Sequence, residues 1–478
     1  MIQKRPIVEA LINFQRQQTI SFHVPGHKHG QLSGLPKEIQ NALPYDLTEL
    51  SGLDDLHYPE GIIKEAQLLL SGAYGSDKSY FLVNGSTVGN LVMIQSVCEE
   101  GSTVIVQRNS HKSIFHGLEL AKVRPVYVSP EWDSDSMTTT GVSFETIKEA
   151  ISKYPYAKAV VLTYPNYYGM IGQDLEEIIA TCHQNGIAVL IDEAHGAHFK
   201  VGEPFPTSSL QFGADAVVQS AHKTLPAMTM GSYLHISGDF VNPQKIEKYL
   251  RMLQSSSPSY LMMASLDDAR AFVESYSQPD VRTFLEKRER FITGMKSIPS
   301  LRVFEADDPL KLLLRVEHYT GFQLKQKLEQ LGIQVELADP YQVLLVLPLL
   351  KQQHTYPFAE IRSRIKEAVR SLKTEDREFI NTEWTSQQKV SVPVLTYEEI
   401  ELADSEWVTY AHAIGRIAAG MVTPYPPGIP LVVAGEVWTA AKLEELMDFL
   451  ALGASVQGDH RLVEKQLSVT QQGGVIYE

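Results

Sequence analysis

The chain has 478 residues, of which 44% are hydrophobic and 21% charged, and its formal net charge is −15. This composition is typical of a folded globular protein and excludes a disordered chain. The length suffices for about three domains of roughly 150 residues each. The acidic balance disfavours nucleic acids and anionic membrane surfaces as partners, because like charges repel.

No targeting signal or membrane span is evident. The N-terminal stretch MIQKRPIVEALINFQRQQ has neither the apolar core nor the cleavage site of a signal peptide. The longest apolar run, Val343 to Leu350, is far shorter than the ~20 residues that a transmembrane helix needs. We therefore expect a cytoplasmic protein, in which Cys98 and Cys182 are buried thiols rather than parts of a disulfide framework.

Between about Ser79 and His235, short apolar segments alternate with longer segments of helical spacing. The short segments, such as TVIVQ and AVVLTYP, contain many β-branched residues and almost no polar alternation, which is typical of strands buried on both faces of a parallel sheet. Their alternation with helical segments, such as FETIKEAISKY, predicts a three-layer α/β domain with a mostly parallel sheet.

From about Pro279 to Lys373 the order of elements changes to a helix, two strands, a helix, two strands and a helix, which predicts a small α+β domain. A polar stretch then leads to a C-terminal piece that contains the turn TPYPPGIP. We accordingly divide the chain into an N-terminal segment, a large domain, a small α+β domain and a C-terminal domain, at residues 1–60, 61–278, 279–385 and 386–478.

The segment SAHKT, Ser220 to Thr224, follows the apolar strand AVVQ. Lys223 therefore stands at a strand end, where open α/β sheets bind ligands. Ser220 and His222 add donors suited to a phosphate. A lone lysine in such a place is more often an ordinary surface residue. A functional role for Lys223 therefore depends on the neighbouring motifs.

One of those motifs is VLIDEAHGAH, in which Asp192 ends an apolar strand. A carboxylate buried there needs a cation, and a protonated pyridine nitrogen is one. A structural carboxylate that caps a helix or pairs with an arginine is an equal alternative. His195 and His198 could form a metal site with Asp192, but further ligands at the usual spacing are missing, so no metal is predicted.

Two further turns suggest a ligand that carries a phosphate and a planar ring. In FLVNGSTVGNLVMI, a strand leads through a turn into a helix that Ser86 or Thr87 can cap, so that its free N–H groups face an anion. The turn matches neither nucleotide-binding pattern, so a single phosphate monoester fits better. In RNSHKS, His111 follows the next strand, where it can stack on a ring or be a structural histidine.

The joint occurrence of these motifs is more specific than any one of them. The chain resembles the fold-type-I pyridoxal-phosphate enzymes, and in particular the ornithine/lysine/arginine decarboxylase family. The resemblance covers essentially the whole chain and is carried by FHVPGHKHG, ELSGLDDLHYPEG, NGST, RNSHKS, DEAHGAH, SAHKT, SSSPSYLMMASLD and YPPGIP. It is greatest with the short bacillary members, which lack the N-terminal response-regulator-like domain of the large inducible members.

The resemblance implies a cofactor, pyridoxal 5′-phosphate, and a role for each matching residue. Lys223 would form the Schiff base, Asp192 would bind the ring nitrogen, and His111 and Ala194 would lie against the two faces of the ring. His195 would lie beside the oxygen substituent of the ring or the substrate. The phosphate would be held by Ser86, Thr87, Ser220 and His222.

The resemblance also implies partners. Ser256 or Ser257 would reach the cofactor of a neighbouring subunit, so the protein would be a homodimer or a higher even oligomer. A second set of residues would shape the entrance or meet the distal cation of the substrate, with loop structure as the alternative; these are His23, His27, Asp54, Asp55 and Glu60. Arg416 would bind the substrate carboxylate or form a structural ion pair.

The implied reaction is decarboxylation of a basic L-amino acid (arginine, lysine or ornithine) to an amine and CO2, in polyamine-related metabolism. The likeness to bacillary members favours arginine. Lys223, His222 or His195 would return a proton to the α-carbon. The same residues would also serve another pyridoxal-phosphate lyase, an aldolase or an aminotransferase, or a non-catalytic protein that binds the cofactor.

Overall fold

The structure is a computed structural model, and it describes residues 3–372, 389–425, 429–451 and 453–471. Part of the predicted turn TPYPPGIP and nearly all of the predicted polar stretch before the C-terminal piece lie outside the described residues. No helix among the described residues combines the length and the apolar character that crossing a membrane requires. Cys98 and Cys182 are buried thiols, as predicted.

The α-helices of the described chain range from single turns to more than five turns. In chain order they are α1 (Pro6–Arg16), α2 (Lys37–Gln40), α3 (Ile62–Tyr74), α4 (Gly85–Val97), α5 (Lys112–Leu120), α6 (Phe144–Lys153), α7 (Leu175–Gln184), α8 (Ala221–Thr224), α9 (Pro243–Leu253), α10 (Tyr260–Glu274), α11 (Gln278–Lys296), α12 (Gly321–Gln330), α13 (Phe358–Ser371), α14 (Tyr397–Leu402), α15 (Tyr410–Ala413) and α16 (Ala440–Ala451).

The strands are short. In chain order they are β1 (Lys78–Leu82), β2 (Thr103–Gln107), β3 (Arg124–Val128), β4 (Trp132–Asp133), β5 (Thr138–Thr139), β6 (Ala159–Thr163), β7 (Ala188–Asp192), β8 (Ala216–Gln219), β9 (Ser232–Ile236), β10 (Leu301–Glu305), β11 (Lys311–Val316), β12 (Leu337–Ala338), β13 (Val343–Val346), β14 (Val390–Ser391), β15 (Ser405–Thr409), β16 (Val422–Tyr425), β17 (Ser455–Gly458), β18 (His460–Arg461) and β19 (Gln466–Thr470).

The chain packs as two compact units, each made of two stretches of sequence. The first unit comprises residues 1–97 and 188–277, and the second comprises residues 98–187 and 278–478. Both units combine parts of the chain that are distant in sequence, because parallel strands are connected through crossovers rather than tight turns. The division into four consecutive segments at residues 60, 278 and 385 stays a prediction.

The first unit contains the strands β1, β9, β8 and β7, in that spatial order. β7 and β8 are parallel, and β9 runs antiparallel to both β8 and β1. β1, β8 and β7 therefore point the same way, and the chain ends of β7 and β8 lie side by side. Every residue of β7, β8 and β9 is buried, which for β7 and β8 agrees with the prediction from their apolar segments.

Helices cover the strands of the first unit. α4 packs against β1, β7, β8 and β9, and α9 packs on α4. At the N-terminus, α1 packs against α3 and α10. The buried pair Asp267 and Arg270 on α10 holds α1, because Asp267 accepts a hydrogen bond from the Ile7 N–H and Arg270 donates to the Lys4 carbonyl.

The strands of the second unit form several hydrogen-bonded groups. β6, β2 and β3 are parallel neighbours, and β14 closes the edge antiparallel to β3. β10, β11, β13 and β12 form an antiparallel sheet with α11, α12 and α13, which confirms the predicted α+β order. Near the C-terminus, β15, β19 and β18 form a small antiparallel sheet, and β16 pairs with β17.

Candidate active site

The lysine that the sequence singles out lies in α8, directly after β8. The Ser220 N–H donates to the Ala194 carbonyl, a contact that ties the ends of β7 and β8 together. Lys223 lies in this short helix, and the Nζ atom of Lys223 lies 3.0 Å from Nε2 of His195. His195 is buried and Lys223 is half-buried. The distance is that of a hydrogen bond between the two nitrogens.

The carboxylate of Asp192 ends β7 and is only 3% exposed. Its Oδ2 accepts a hydrogen bond from Asn90 Nδ2 at 2.9 Å, and its Oδ1 accepts one from the Ala194 N–H at 3.1 Å. Burial raises the pKa of Asp192, while the charge of Lys223 and the two donors oppose that rise. The carboxylate is thus suited to meet a cationic ligand atom.

Three serine hydroxyls meet at the start of α4. The Oγ of Ser86 lies 2.7 Å from that of Ser220 and 3.1 Å from that of Ser232. Ser220 and Ser232 are buried. These hydroxyls and the first N–H groups of a 13-residue helix are donors of the kind that phosphate oxygens accept.

The prediction that Ser86 or Thr87 caps α4 is wrong. The helix begins at Gly85, whose φ of +78° makes the turn, and both residues lie in the first helical turn. Ser86 is half-buried and points its hydroxyl at the serine cluster, whereas Thr87 is exposed.

His222 is orientated by its own backbone neighbours. Its Nδ1 lies 3.0 Å from the carbonyl oxygen of Gly231, and its backbone N–H donates to the same oxygen. Because a carbonyl only accepts, Nδ1 carries a proton. His222 therefore donates from Nε2 only when the ring is positively charged, which suits an anionic neighbour.

His111 belongs to the second unit and precedes α5. Its Nδ1 accepts a hydrogen bond from the Ser113 N–H at 3.3 Å and lies 2.8 Å from the Ser113 hydroxyl, so the ring caps the helix. Its stacking on a cofactor ring stays a prediction.

The loop before α10 carries Ser256 and Ser257, and both are exposed. The loop is held at Ser255, whose N–H donates to Asn84 Oδ1 at 3.2 Å and whose carbonyl lies 2.8 Å from Nε2 of His57. Asn84 precedes the α4 turn. The serines thus extend from the edge of the site, and their reach into a neighbouring subunit stays a prediction.

Asp54 organises a loop rather than projecting from it. Its Oδ2 accepts hydrogen bonds from the N–H groups of Gly61 at 2.8 Å and Ile63 at 3.0 Å, at the start of α3. Its Oδ1 accepts from the Glu60 N–H at 3.1 Å, and Asp55 accepts from the His57 N–H at 2.8 Å. These contacts favour the loop-structure alternative for Asp54 and Asp55.

Of the remaining substrate candidates, His23, His27 and Arg416 also have protein partners. Nδ1 of the exposed His23 lies 3.0 Å from the Val24 carbonyl. His27 Nε2 lies 3.2 Å from Asp46 Oδ2. The side chain of Glu60 is exposed. Arg416, in the second unit, donates to Glu406 at 2.7 Å and to the Thr470 carbonyl at 2.8 Å. The structural ion pair thus describes Arg416 better than a substrate contact.

Sequence reasoning missed two polar residues that touch this site, Asn90 and Ser232. Asn90 had a detectable signal, because it interrupts the apolar helical run VGNLVMI. Ser232 had none, since a serine at the start of a strand is common. Across the described residues, no group of three potential ligands is placed to hold a metal ion.

Comparison with solved structures defines the class of fold. The chain is similar to the constitutive lysine decarboxylase of Escherichia coli, with a TM-score of 0.78 and 18% identity, over 98% of this chain and 82% of that chain. This likeness shows the fold, which is that of the fold-type-I pyridoxal-phosphate enzymes, as predicted.

The family follows from the sequence itself. Residues 5–305 match the family described as Orn/Lys/Arg decarboxylase, major domain, and residues 376–459 match its C-terminal domain. The chain therefore belongs to the Orn/Lys/Arg decarboxylase family, an enzyme family of amino-acid decarboxylases, and the resemblance drawn from its motifs is confirmed.

Two relatives match over nearly their whole length. The chain is 47% identical over 477 residues to the uncharacterized protein YaaO of Bacillus subtilis (strain 168), covering 97% of this chain and 98% of that protein. It is 31% identical over 491 residues to an arginine decarboxylase of Bacillus anthracis, covering 98% of this chain and 97% of that enzyme.

Proposed function

We propose that the protein decarboxylates a basic L-amino acid to the corresponding amine and CO2, with pyridoxal phosphate as its cofactor. The observation that carries the proposal is the grouping, within the first unit, of Lys223, Asp192 and the three serine hydroxyls at neighbouring strand ends. In a member of a decarboxylase family, these residues supply the amine, the carboxylate and the hydroxyl donors that the reaction requires.

The residues of the first unit fit pyridoxal phosphate in their chemistry. Ser86, Ser220 and the start of α4 present donors for the phosphate, and a positively charged His222 would add another. Asp192 is a buried acceptor for the ring nitrogen, and Lys223 is the primary amine to which the cofactor would be attached. This donor and acceptor set supports the assignment over a nucleotide or a metal.

When bound, pyridoxal phosphate supplies the carbonyl group that takes up the substrate amine and the protonated ring that takes up the electron pair released with CO2. Asp192 would keep the ring nitrogen of the bound cofactor protonated, because it would hold a negative charge toward that nitrogen. Lys223 and His195 lie within hydrogen-bond distance of each other, so either nitrogen would be able to donate a proton to the substrate carbon that has lost CO2.

Several finer points belong to the same proposal. His111 would stack on the ring, Ala194 would lie against its other face, and Thr87 would add a phosphate contact. Ser256 or Ser257 completes the site of a second subunit in a homodimer. Arginine is the preferred substrate, supported by the relative named arginine decarboxylase, and the amine product enters polyamine metabolism.

The test measures CO2 and amine release from L-arginine, L-lysine and L-ornithine, with the corresponding D-amino acids as a control. We expect release from at least one L-substrate, with L-arginine turned over fastest. The variant K223A should release no amine above background, and it should lack the pyridoxyl label that borohydride places on Lys223 of the wild-type protein.

Two results would contradict the proposal. A wild-type protein that binds pyridoxal phosphate at Lys223 but decarboxylates none of the three substrates would point to another reaction of the cofactor, such as amine transfer. A borohydride label on a different lysine would show that the cofactor is not attached at Lys223, and the proposed site would then be wrong.

A further inference from the structure

Helix α4 carries a polar residue where its pattern calls for an apolar one. Asn90 lies among Val88, Leu91 and Val92, and it is only 1% exposed. Burying an amide costs free energy unless it forms hydrogen bonds. The position therefore requires a polar partner, which comes from a distant part of the chain.

That partner is Asp192, which lies 102 residues further along the sequence. Nδ2 of Asn90 donates to Oδ2 of Asp192 at 2.9 Å, and the Ala194 N–H donates to Oδ1 at 3.1 Å. Since an ionised carboxylate only accepts, the amide must present its NH2 group. Each carboxylate oxygen thus has its own donor, and the plane of the carboxylate is fixed from two sides.

The contact depends on how closely α4 approaches the strands. A Cβ atom at Gly89 would lie 2.7 Å from a methyl carbon of Leu82 and 2.9 Å from the methyl carbons of Val218. Glycine at this position lets the helix backbone rest on β1 and β8. The following residue, Asn90, then reaches the end of β7.

We propose that Asn90 is a positioning residue of the cofactor site, whose amide orients the Asp192 carboxylate and keeps it ionised toward the ring nitrogen. The inference rests on the proposed function, because it assigns Asn90 a role only if Asp192 meets the protonated ring of pyridoxal phosphate.

The physical reason is the balance of charge in a buried place. Burial favours the neutral form of a carboxyl group, and each hydrogen bond donated to the ionised form opposes that preference. Without the Asn90 amide, the proton shared with the ring nitrogen moves toward Asp192. The ring then loses its positive charge and takes up electrons less readily.

The test compares holoenzyme of the wild type with N90L, which has the same branched shape but no donor, and with the smaller N90S. The control is S96A, on the same helix, because the Ser96 hydroxyl is buried and donates only to the Val92 carbonyl at 2.7 Å. The direct readout is the NMR shift of the ring nitrogen in 15N-labelled pyridoxal phosphate, followed across pH. Steady-state kinetics supply kcat and KM separately.

In N90L we expect the ring-nitrogen signal to move toward that of the neutral ring over the pH range in which the pair holds one proton, since one hydrogen bond to the charged carboxylate is removed and the shared proton then resides more on Asp192. The value of kcat should fall about 10- to 100-fold, with KM changed less than about threefold. N90S, which cannot overpack the site, should shift both quantities in the same direction. S96A should behave as the wild type.

A ring-nitrogen titration in N90L and N90S that matches S96A would overturn the inference and leave the proposed function standing. Absence of cofactor from Lys223 in the wild type would overturn the proposed function, and this inference with it. The two failures are therefore distinguished by the wild-type spectrum alone.

Discussion

At the scale of single residues, Glu193, which directly follows Asp192, is a carboxyl group in a buried polar network of the first unit. Glu193 is fully buried and accepts hydrogen bonds from Ser208 at 2.8 Å, from the Ser209 N–H at 2.7 Å and from Gln219 at 2.7 Å. Gln219 also contacts His235, whose pKa burial lowers to about 3. This buried polar network links residues next to Asp192 and Ser220, so it stiffens both strand ends.

Burial raises the pKa of Glu193 from 4.5 to about 7, although its serine and glutamine donors oppose the rise. The folded protein therefore holds this proton more tightly than the unfolded chain. The resulting stabilisation is complete below pH 4.5 and is lost as the pH rises to 7. At about 1.4 kcal/mol per pKa unit, the loss is about 3 kcal/mol.

The variant E193Q should remove this dependence, because glutamine resembles the protonated carboxyl group and does not titrate. We expect the urea midpoint of E193Q to increase relative to that of the wild type as the pH is raised from 4.5 to 7. E65Q, which alters an exposed carboxylate of the same unit, is the control. Parallel curves for E193Q and the wild type would contradict a raised pKa.

At the scale of elements, α4 is the helix on which the site depends. Its first turn carries Ser86, its sixth residue is Asn90, and Gly89 allows its close approach to β1 and β8. The helix is largely apolar, so packing holds it in place, and the same packing sets the distances from its polar residues to Asp192 and Ser220.

Replacement of Gly89 by alanine should therefore destabilise the protein, although alanine usually stabilises a helix relative to glycine. We expect G89A to lower the free energy of unfolding by about 1–3 kcal/mol through overpacking against Leu82 and Val218. It should also weaken binding of pyridoxal phosphate, which cofactor fluorescence measures.

The matched control is G72A, in the interior of α3, where an added Cβ would have no neighbour within 4 Å. Here alanine should stabilise the protein by about 0.5–1 kcal/mol, since it restricts the unfolded chain. Equal effects of the two substitutions on urea unfolding would show that close packing at Gly89 is unimportant.

At the scale of the whole molecule, negative charge is in surplus, and one buried positive charge, Arg108, is paired with Glu436. In the second unit, Arg108 donates to the carbonyls of Pro430 and Leu431 and to Glu436, and so anchors the C-terminal part of that unit beside β2. Burial raises the pKa of Glu436, but Arg108 and Lys442 outweigh this and hold it below its ordinary range. The net charge of −15 is then available to attract cations.

A cationic substrate should be captured faster at low salt. The screening length falls from about 30 Å at 0.01 M to about 3 Å at 1 M ionic strength, so kcat/KM for L-arginine should fall over this range while kcat changes little. Sucrose at matched osmolality is the control for non-ionic effects. A kcat/KM that is independent of salt would show that the acidic surface plays no part in capture.

The sequence by itself determined the class of fold and the family. Apolar strands separated by amphipathic helices specify a parallel sheet through local periodicity, and the motifs around Lys223 and Asp192 follow strands directly, so their place at strand ends could be predicted. The order of elements in the α+β segment was predicted for the same reason, because each element has its own pattern.

Only the tertiary structure decided which polar groups meet. Ser232 reaches Ser86 across 146 residues, and Asn90 reaches Asp192 across 102, because strand order and helix packing bring them together. The sequence left Asp54 open between a role at the substrate entrance and loop structure, and the structure shows backbone N–H groups around its carboxylate. Local patterns fix which residues end a strand or turn a loop, whereas the pairing of distant side chains depends on how the whole unit packs.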